Sequence, residues 1–394
     1  FPEYCYGKNF MIIDQLTLIV GIIVILLAIV ASLASPFLRR IKIYESDNNE
    51  NDNNDNAIPV SIIIPVHDEA TDLKRNLPAF LNQDYKGDFK IIVIADKNDR
   101  ETEDLMNRLM PENKNLYATY LPESSRYMSR KKLAITIGVK AAKTDWIIVT
   151  DPCCRPFDEK WLSSFTQNMQ PGTDFVMGYT SLDNNTRKSW RFEHALIANN
   201  RLSSAQKGKA WATNCQNIAF HKEQFMKDEG FRGNLQLLRG EYDFLVNKYA
   251  KNMNTAVDVR RSSWLYEDEP TRKTWHNRNI FFRASRNLLN GHKANRIYTF
   301  FCNIMLHLSF IVSLAAIAYS VTQQNWILAG ASGFSLLLMI ITRTIFANRA
   351  IKQLDEDIPA GIMFFTELKL TWKNILYKIS YIHADKNNFT SHKL

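Results

Sequence analysis

The sequence holds only five cysteines in 394 residues, and their spacing builds neither a zinc site nor an even disulfide framework. Cys5, Cys153, Cys154, Cys215 and Cys302 read as thiols of a protein working in a reducing compartment. No glycine-rich phosphate loop and no Ser-His-Asp arrangement stands out, and His194, His221 and His276 are too dispersed to argue for a metal cluster. Carboxylates are left to carry the chemistry. Charge itself is absent from two stretches, Gln15 to Leu38 and Ile297 to Thr342. A mean hydropathy of −0.25 conceals both.

The first stretch is long enough to cross a hydrocarbon core of about 30 Å, and the second is long enough to cross it twice with a turn near Thr322-Gln323-Gln324-Asn325. The residues before the first stretch carry no strong basic cluster and the run is too long for a signal peptide, so an uncleaved anchor is expected. With Phe1 an odd start and Met11 just before the run, residues 1–10 read as an extension or a fragment edge. Arg39, Arg40 and Lys42 follow the first span, Lys293 and Arg296 precede the second, and Arg343, Arg349 and Lys352 flank the third. Basic flanks stay on the cytoplasmic side, so the catalytic candidate and the C-terminus are expected in the cytosol, on the inner membrane of a cell. The net charge of +9 is explained by these juxtamembrane residues meeting anionic lipid, and no nucleic-acid module is present.

Between the apolar stretches the pattern changes. Glu45 to Asn56 is a low-complexity polar tether with nothing to bury. Beyond it three runs each end on carboxylate: Val60-Ser61-Ile62-Ile63-Ile64-Pro65-Val66-His67-Asp68-Glu69, Ile91-Ile92-Val93-Ile94-Ala95-Asp96 and Trp146-Ile147-Ile148-Val149-Thr150-Asp151. Continuous Ile/Val runs read as strands buried on both faces of a parallel sheet, and ligands of such sheets bind beyond the carboxyl ends of the strands. Helices are expected at Thr71–Leu81, with Thr71 as cap, at Asp99–Leu109 and at Arg130–Ala142, alternating with strands at 60–64, 90–95, 116–121 and 146–150. After Asp151 the alternation loosens into helices near 161–168, 190–205 and 241–250 and strands near 175–179, 217–220 and 255–259. Ile362 to Ile382 interleaves aromatic and aliphatic residues with Lys369, Lys373 and Lys378, too charged to span; it either lies in the membrane interface or packs on the folded domain.

The ordered series resembles glycosyltransferase family 2, whose nucleotide-sugar half has the GT-A fold. The family's Pro-x-x-Asn-Glu turn is matched by Pro65-Val66-His67-Asp68-Glu69, its base-reading acid by Asp96, and its Lys-x-x-Ala-Leu-Asn-x-Gly helix start in part by Lys131, Ala134, Ile135, Thr136 and Gly138. The resemblance implies a Rossmann-like α/β domain with a mostly parallel sheet, carrying one N-terminal and two C-terminal transmembrane helices. The expected organisation is an anchor at 1–44, a polar linker at 45–57, the GT-A domain at 58–290, a two-helix hairpin at 297–347 and a cytosolic or interfacial tail at 348–394.

The resemblance also implies site residues. Donor binding falls to Pro65, Asp68, Glu69, Asp96, Lys131, Asp151 and Arg155. The family's Asp-x-Asp, which holds a divalent Mg²⁺ or Mn²⁺ on the diphosphate, reads Asp151-Pro152-Cys153-Cys154-Arg155-Pro156 here, and a thiol is a poor ligand for a hard cation. Metal dependence is thereby in doubt. Asp151 holds the metal with other oxygen donors, or Arg155 or Lys131 supplies the counter-charge, or the domain has lost activity. The base lies in Arg239-Gly240-Glu241-Tyr242-Asp243; Asp243 is preferred over Glu241 because a short carboxylate followed by an apolar helix fits the family's register. The acceptor segment Gln-x-x-Arg-Trp of membrane synthases has no match at 273–283, though Trp275 and Arg278 suit a sugar and a phosphate.

The implied activity is inverting transfer of a sugar from a nucleotide diphosphate donor to a lipid-linked or glycan acceptor in surface polysaccharide synthesis. Three spans are few for a synthase that threads its own polymer, which favours addition of one sugar. The altered Asp-x-Asp motivates the rival, a non-catalytic GT-A scaffold binding sugar nucleotide or partner proteins at the membrane; a nucleotidyltransferase is a weaker third.

Overall fold

The computed structural model describes residues 14–43, 57–122, 129–250, 254–354 and 356–390. The expected extension at 1–10 and nearly all of the polar linker lie outside them. The chain forms two compact units: the described parts of 1–38, 295–349 and 359–371, and those of 39–294, 350–358 and 372–394.

In chain order the elements are α1 (Gln15–Leu33), β1 (Val60–Pro65), α2 (Ala70–Leu81), β2 (Phe89–Asp96), α3 (Arg100–Leu109), β3 (Leu116–Leu121), α4 (Arg130–Ala141), β4 (Trp146–Val149) and β5 (Cys154–Pro156). There follow α5 (Trp161–Thr166), β6 (Phe175–Gly178), β7 (Thr180–Leu182), α6 (Lys188–Ala205), β8 (Ile218–His221), α7 (Lys222–Lys227), α8 (Glu241–Tyr249), β9 (Thr255–Asp258) and β10 (Leu265–Glu267). The last are α9 (Arg272–Ser285), α10 (His292–Thr322), α11 (Trp326–Lys352) and α12 (Ala360–His383).

A seven-stranded sheet in the order β3-β2-β1-β4-β8-β6-β9 forms the centre of the larger unit. Strands β3, β2, β1 and β4 run parallel, and within this sheet the only reversals among the described pairings are those of β8 with β4 and β6. All six residues of β1 are buried, as expected for a strand covered on both faces. Leu73, Leu77 and Phe80, at helical spacing on α2, cover one face together with Leu105 and Met106 of α3. Helix α4 lies so close to the sheet that a Cβ at Gly138 would stand 2.7 Å from Ile94 and 2.8 Å from Ile63, so glycine is required there.

Two expectations need correction. Helix α2 begins at Ala70, so Glu69 rather than Thr71 occupies the N-cap position, and it makes no side-chain cap bond. A second sheet, β5-β10-β7, was not foreseen, because three-residue strands are too short to show a period. Asp99 does cap α3, accepting from the Thr102 N–H at 3.0 Å.

The smaller unit contains α1, α10 and α11, three helices long and apolar enough to cross a membrane. Leu16, Ile22, Ile297, Phe300, Phe334 and Ile341 are exposed, the inverse of a water-soluble helix pack. The internal contacts use small residues and hydroxyls: Ala331 stands 3.5 Å from where a Gly21 Cβ would lie, and Ser335 Oγ donates to Val24 O at 3.0 Å. Arg343, taken from sequence as a flanking charge, is 1% exposed: it ion-pairs with Glu367 and donates to Ala31 O, both at 2.5 Å. It is an internal tie, and the basic flank of α11 rests on Arg349 and Lys352.

Candidate active site

The loops after β1 and β4, the first turn of α4, the first turn of α8 and part of α9 surround a cavity of about 420 Å³. Its walls include Glu69, Lys131, Asp151, Cys153, Glu241, Asp243, Trp275 and Arg278. Eight residues proposed from sequence for donor, base, metal and acceptor roles, or singled out as the altered metal position, thus share one space.

The first turn of α4 is unusual. It carries Arg130, Lys131 and Lys132 and no acid, although cations are disfavoured at a helix N-terminus. Each has an oxygen partner brought by the fold. Arg130 pairs with Asp96, its Nε 2.7 Å from Oδ1. Lys131 Nζ stands 2.7 Å from the Asp151 carboxylate. Lys132 Nζ, fully buried, donates to Asn234 O and Oδ1 and to Leu237 O at 2.5–2.7 Å, fastening the loop that leads into α8. Burial lowers the Lys132 pKa to about 8.

Asp151 follows β4 and is held from two sides. The Tyr242 hydroxyl donates to its Oδ1 at 2.5 Å, and the Lys131 ammonium lies 5.2 Å from the Tyr242 ring centre. Lys131 sits among Asp151, Glu241 and Glu69, whose charges outweigh its desolvation and raise its pKa. Burial pushes the Glu69 carboxyl above its usual value against the opposing pull of Lys131. Tyr242, which interrupts the Glu-Asp pair expected at this helix start, is a partner of Asp151 that the sequence did not suggest; the mismatch itself was the only signal.

Glu241 and Asp243 sit on the first turn of α8, entered through Gly240 at φ +94°, where a Cβ would stand 3.1 Å from Ser285. Asp243 Oδ1 accepts from the Thr213 N–H at 3.2 Å and from Arg201 Nη1 at 3.3 Å. Burial nevertheless raises its pKa to about 6. Glu241 is buried, and its Oε1 has no hydrogen-bond partner. His194 also lines the cavity, but burial lowers its pKa to about 3; Nε2–H donates to Thr180 O at 2.7 Å and Nδ1 accepts from Asn214 at 3.1 Å. A neutral, doubly bonded imidazole positions its neighbours.

The other proposed residues lie elsewhere. Pro65 ends β1 outside the cavity lining, and Asp68 is exposed at φ +56°, a left-handed conformation that Asn and Asp tolerate best. Asp96 ends β2, its Oδ2 2.5 Å from His67 Nδ1, in a cluster with Arg130 that is separate from the cavity lining. Arg155 is turned to Asp268 at 2.6 Å and Asp183 at 3.5 Å, so it is engaged away from Asp151. Of the cavity-lining residues expected to meet the acceptor, Trp275 stacks on Trp190 with ring centres 5.1 Å apart, and Arg278 pairs with Glu267.

The donor set does not fit a hard divalent cation. The Asp151 carboxylate already carries an ammonium and a phenol hydroxyl. Its interaction with Cys154 and burial together push the Cys153 thiol well above its ordinary pKa, which keeps it protonated and a poor ligand. Among the described residues no group of three or more His, Cys, Asp and Glu side chains is placed to hold a metal ion.

Residues 61–228 match the sequence model of the family described as glycosyl transferase family 2. That segment resembles a family 2 glycosyltransferase domain. The mannosyltransferase PcManGT from Pyrobaculum calidifontis, solved in complex with GDP-Man and Mn²⁺, is similar over 93% of this chain and 99% of its own, at 16% identity and a TM-score of 0.52. At that identity the likeness concerns the fold alone. S. aureus TarS 1–349 in complex with UDP-GlcNAc aligns over 82% of this chain and 92% of its own, at 12% identity and a TM-score of 0.39. No curated protein sequence matches significantly. The family 2 domain and the fold support a glycosyltransferase.

Proposed function

We propose that the protein is a membrane-anchored inverting glycosyltransferase that moves a sugar from a nucleoside diphosphate donor to a lipid-linked or glycan acceptor in surface polysaccharide synthesis. The observation that carries this reading is the shared cavity, which brings the basic turn of α4 and Asp151 together with two buried acids on α8. The nucleoside lies toward Asp96 at the end of β2, the diphosphate toward Lys131 and Asp151, and the acceptor between α8 and α9, beside Trp275 and Arg278. PcManGT's GDP-Man makes such a donor the natural first probe. Its Mn²⁺ makes a divalent cation a candidate partner, against the unsuitable donor set at Asp151 and Cys153.

In the reaction the acceptor hydroxyl attacks the sugar's anomeric carbon. The bond from that carbon to the diphosphate oxygen breaks, its electron pair leaves with the nucleoside diphosphate, and the hydroxyl proton passes to a carboxylate. Asp243 is the proposed base: with a pKa of about 6 it is ionised at neutral pH yet basic enough to take a proton. Attack opposite the leaving group inverts the anomeric centre. The three candidate spans anchor the enzyme, with the catalytic unit in the cytosol beside soluble nucleotide sugars.

A panel of sugar nucleotides incubated with the full chain and a membrane-lipid extract tests the reading. Donor-specific release of nucleoside diphosphate supports it. Pyrophosphate release marks a nucleotidyltransferase instead, and donor binding without turnover marks the scaffold that the altered Asp151-x-Cys153 motivates.

A further inference from the structure

We propose that the Lys131 ammonium is the built-in cation of this site and takes the place of the divalent metal at the donor diphosphate. The inference rests on the nucleotide-sugar reading above and deepens it.

The distance from Lys131 Nζ to Asp151 is 2.7 Å, and the Tyr242 hydroxyl fixes the same carboxylate at 2.5 Å. A metal entering at Asp151 would have to share that carboxylate with the Tyr242 hydroxyl and stand beside the Lys131 ammonium, or displace one of them. Displacing Lys131 would leave its positive charge beside the incoming cation. The position that would supply a second charged oxygen holds Cys153, and the carboxylates Glu69 and Glu241, which line the same cavity, are gathered around Lys131. Three acids thus converge on one ammonium, which supplies the positive charge among them.

The geometry also gives the ammonium something to do when donor arrives. Lys131 starts α4 with its side chain only partly exposed, at the cavity wall, so its three donors can be shared between Asp151 and phosphate oxygens. Tyr242 keeps Asp151 in place while that exchange happens. A fixed ammonium in a partly buried site stabilises charge developing on a departing diphosphate as a metal does, without a binding equilibrium of its own. Arg155, the cation that follows Asp151 and Cys153 in the chain, is engaged with Asp268 and Asp183 and does not compete for the role.

The experiment uses the full chain in detergent or nanodiscs. UDP and GDP binding is measured by calorimetry in EDTA and in Mn²⁺, and Mn²⁺ binding to the nucleotide-free protein is followed by electron paramagnetic resonance. The unaltered protein should bind one of the two nucleotides in EDTA, with less than a threefold change on adding Mn²⁺, and should hold no Mn²⁺ at micromolar concentration. Lys131→Gln should weaken that binding at least tenfold in EDTA, while Lys131→Arg should retain most of it. Adding Cys153→Asp to Lys131→Gln should create Mn²⁺ binding and restore nucleotide affinity only when Mn²⁺ is present. Nucleotide binding by the unaltered protein that is lost in EDTA overturns the inference and leaves the transferase reading intact. Equal affinity of Lys131→Gln and the unaltered protein in EDTA also overturns it. Failure to bind either nucleotide, with or without Mn²⁺, overturns the donor reading and the inference with it.

Discussion

Arg201 Nη1 stands 3.3 Å from Asp243 Oδ1, a buried cation against the acid proposed as base, yet the Asp243 pKa is about 6 rather than below the ordinary carboxylate value. Desolvation therefore outweighs the attraction of Arg201. The sign of the pH effect follows. Below about pH 6 Asp243 holds a proton and cannot accept another, so kcat/KM should fall as pH drops through 6 and level off above it. Arg201→Gln removes the force that lowers this pKa and should move the acid limb to higher pH, while Arg201→Lys should leave it nearly in place. Asp243→Asn should reduce turnover by roughly 10² to 10⁴-fold. If Glu241→Gln gives that loss and Asp243→Asn does not, the base is Glu241.

Asp96 is gripped by His67 and Arg130, which orients its carboxylate at the end of β2 rather than leaving it mobile in solvent. Asp96→Ala should cost about 1.5–3 kcal/mol of nucleotide binding, the worth of a hydrogen bond to a charged group, or roughly ten- to a hundredfold in Kd. The fold should tolerate the change, since Arg130 also donates to Pro122 O at 3.0 Å and remains at the surface. Calorimetry with UDP and GDP, paired with a thermal melt, checks both halves; unchanged affinity would remove Asp96 from the donor site.

Orientation across the membrane rests on Arg39, Arg40 and Lys42 after α1, on Lys293 and Arg296 in the first turns of α10, and on Arg349 and Lys352 at the end of α11. Loss of Arg343 from this set does not reverse its sign. A reporter fused after Leu394 should behave as cytoplasmic, and Arg349→Glu with Lys352→Glu should lower the fraction of chains so oriented. An exported reporter on the unaltered chain contradicts the assignment.

The parallel half of the sheet was legible because β1, β2 and β4 are buried on both faces, and burial of that kind demands unbroken Ile/Val runs. The turn between α10 and α11 was legible at Thr322 to Asn325 for the opposite reason, a polar break in an apolar run. What escaped were features set by contacts between distant positions. Nothing near Asp243 in the sequence announces Arg201, and β5, β7 and β10 exist because β5 and β7 each pair with β10 over three residues. Tyr242 read as an interruption because its partner, Asp151, lies 91 residues earlier in the chain. Arg343 read as a flank because one charge after an apolar run looks the same whether it meets water or Glu367.

That last pair gives a prediction independent of catalysis. Arg343 on α11 ties Glu367 on α12 to the carbonyls of Ala31 and Ala34 at the end of α1, joining three segments through one buried guanidinium. Removing one partner leaves the other charge buried and unpaired, at a cost of about 3–5 kcal/mol, whereas replacing both by apolar residues of similar size removes the penalty as well as the attraction. Arg343→Met and Glu367→Leu should each lower the thermal midpoint of the purified protein substantially. The double variant should be more stable than either single one, though the Ala31 and Ala34 carbonyls then lose their donor. Additive losses in the double variant would show that the two side chains act separately, with the guanidinium serving the α1 carbonyls alone.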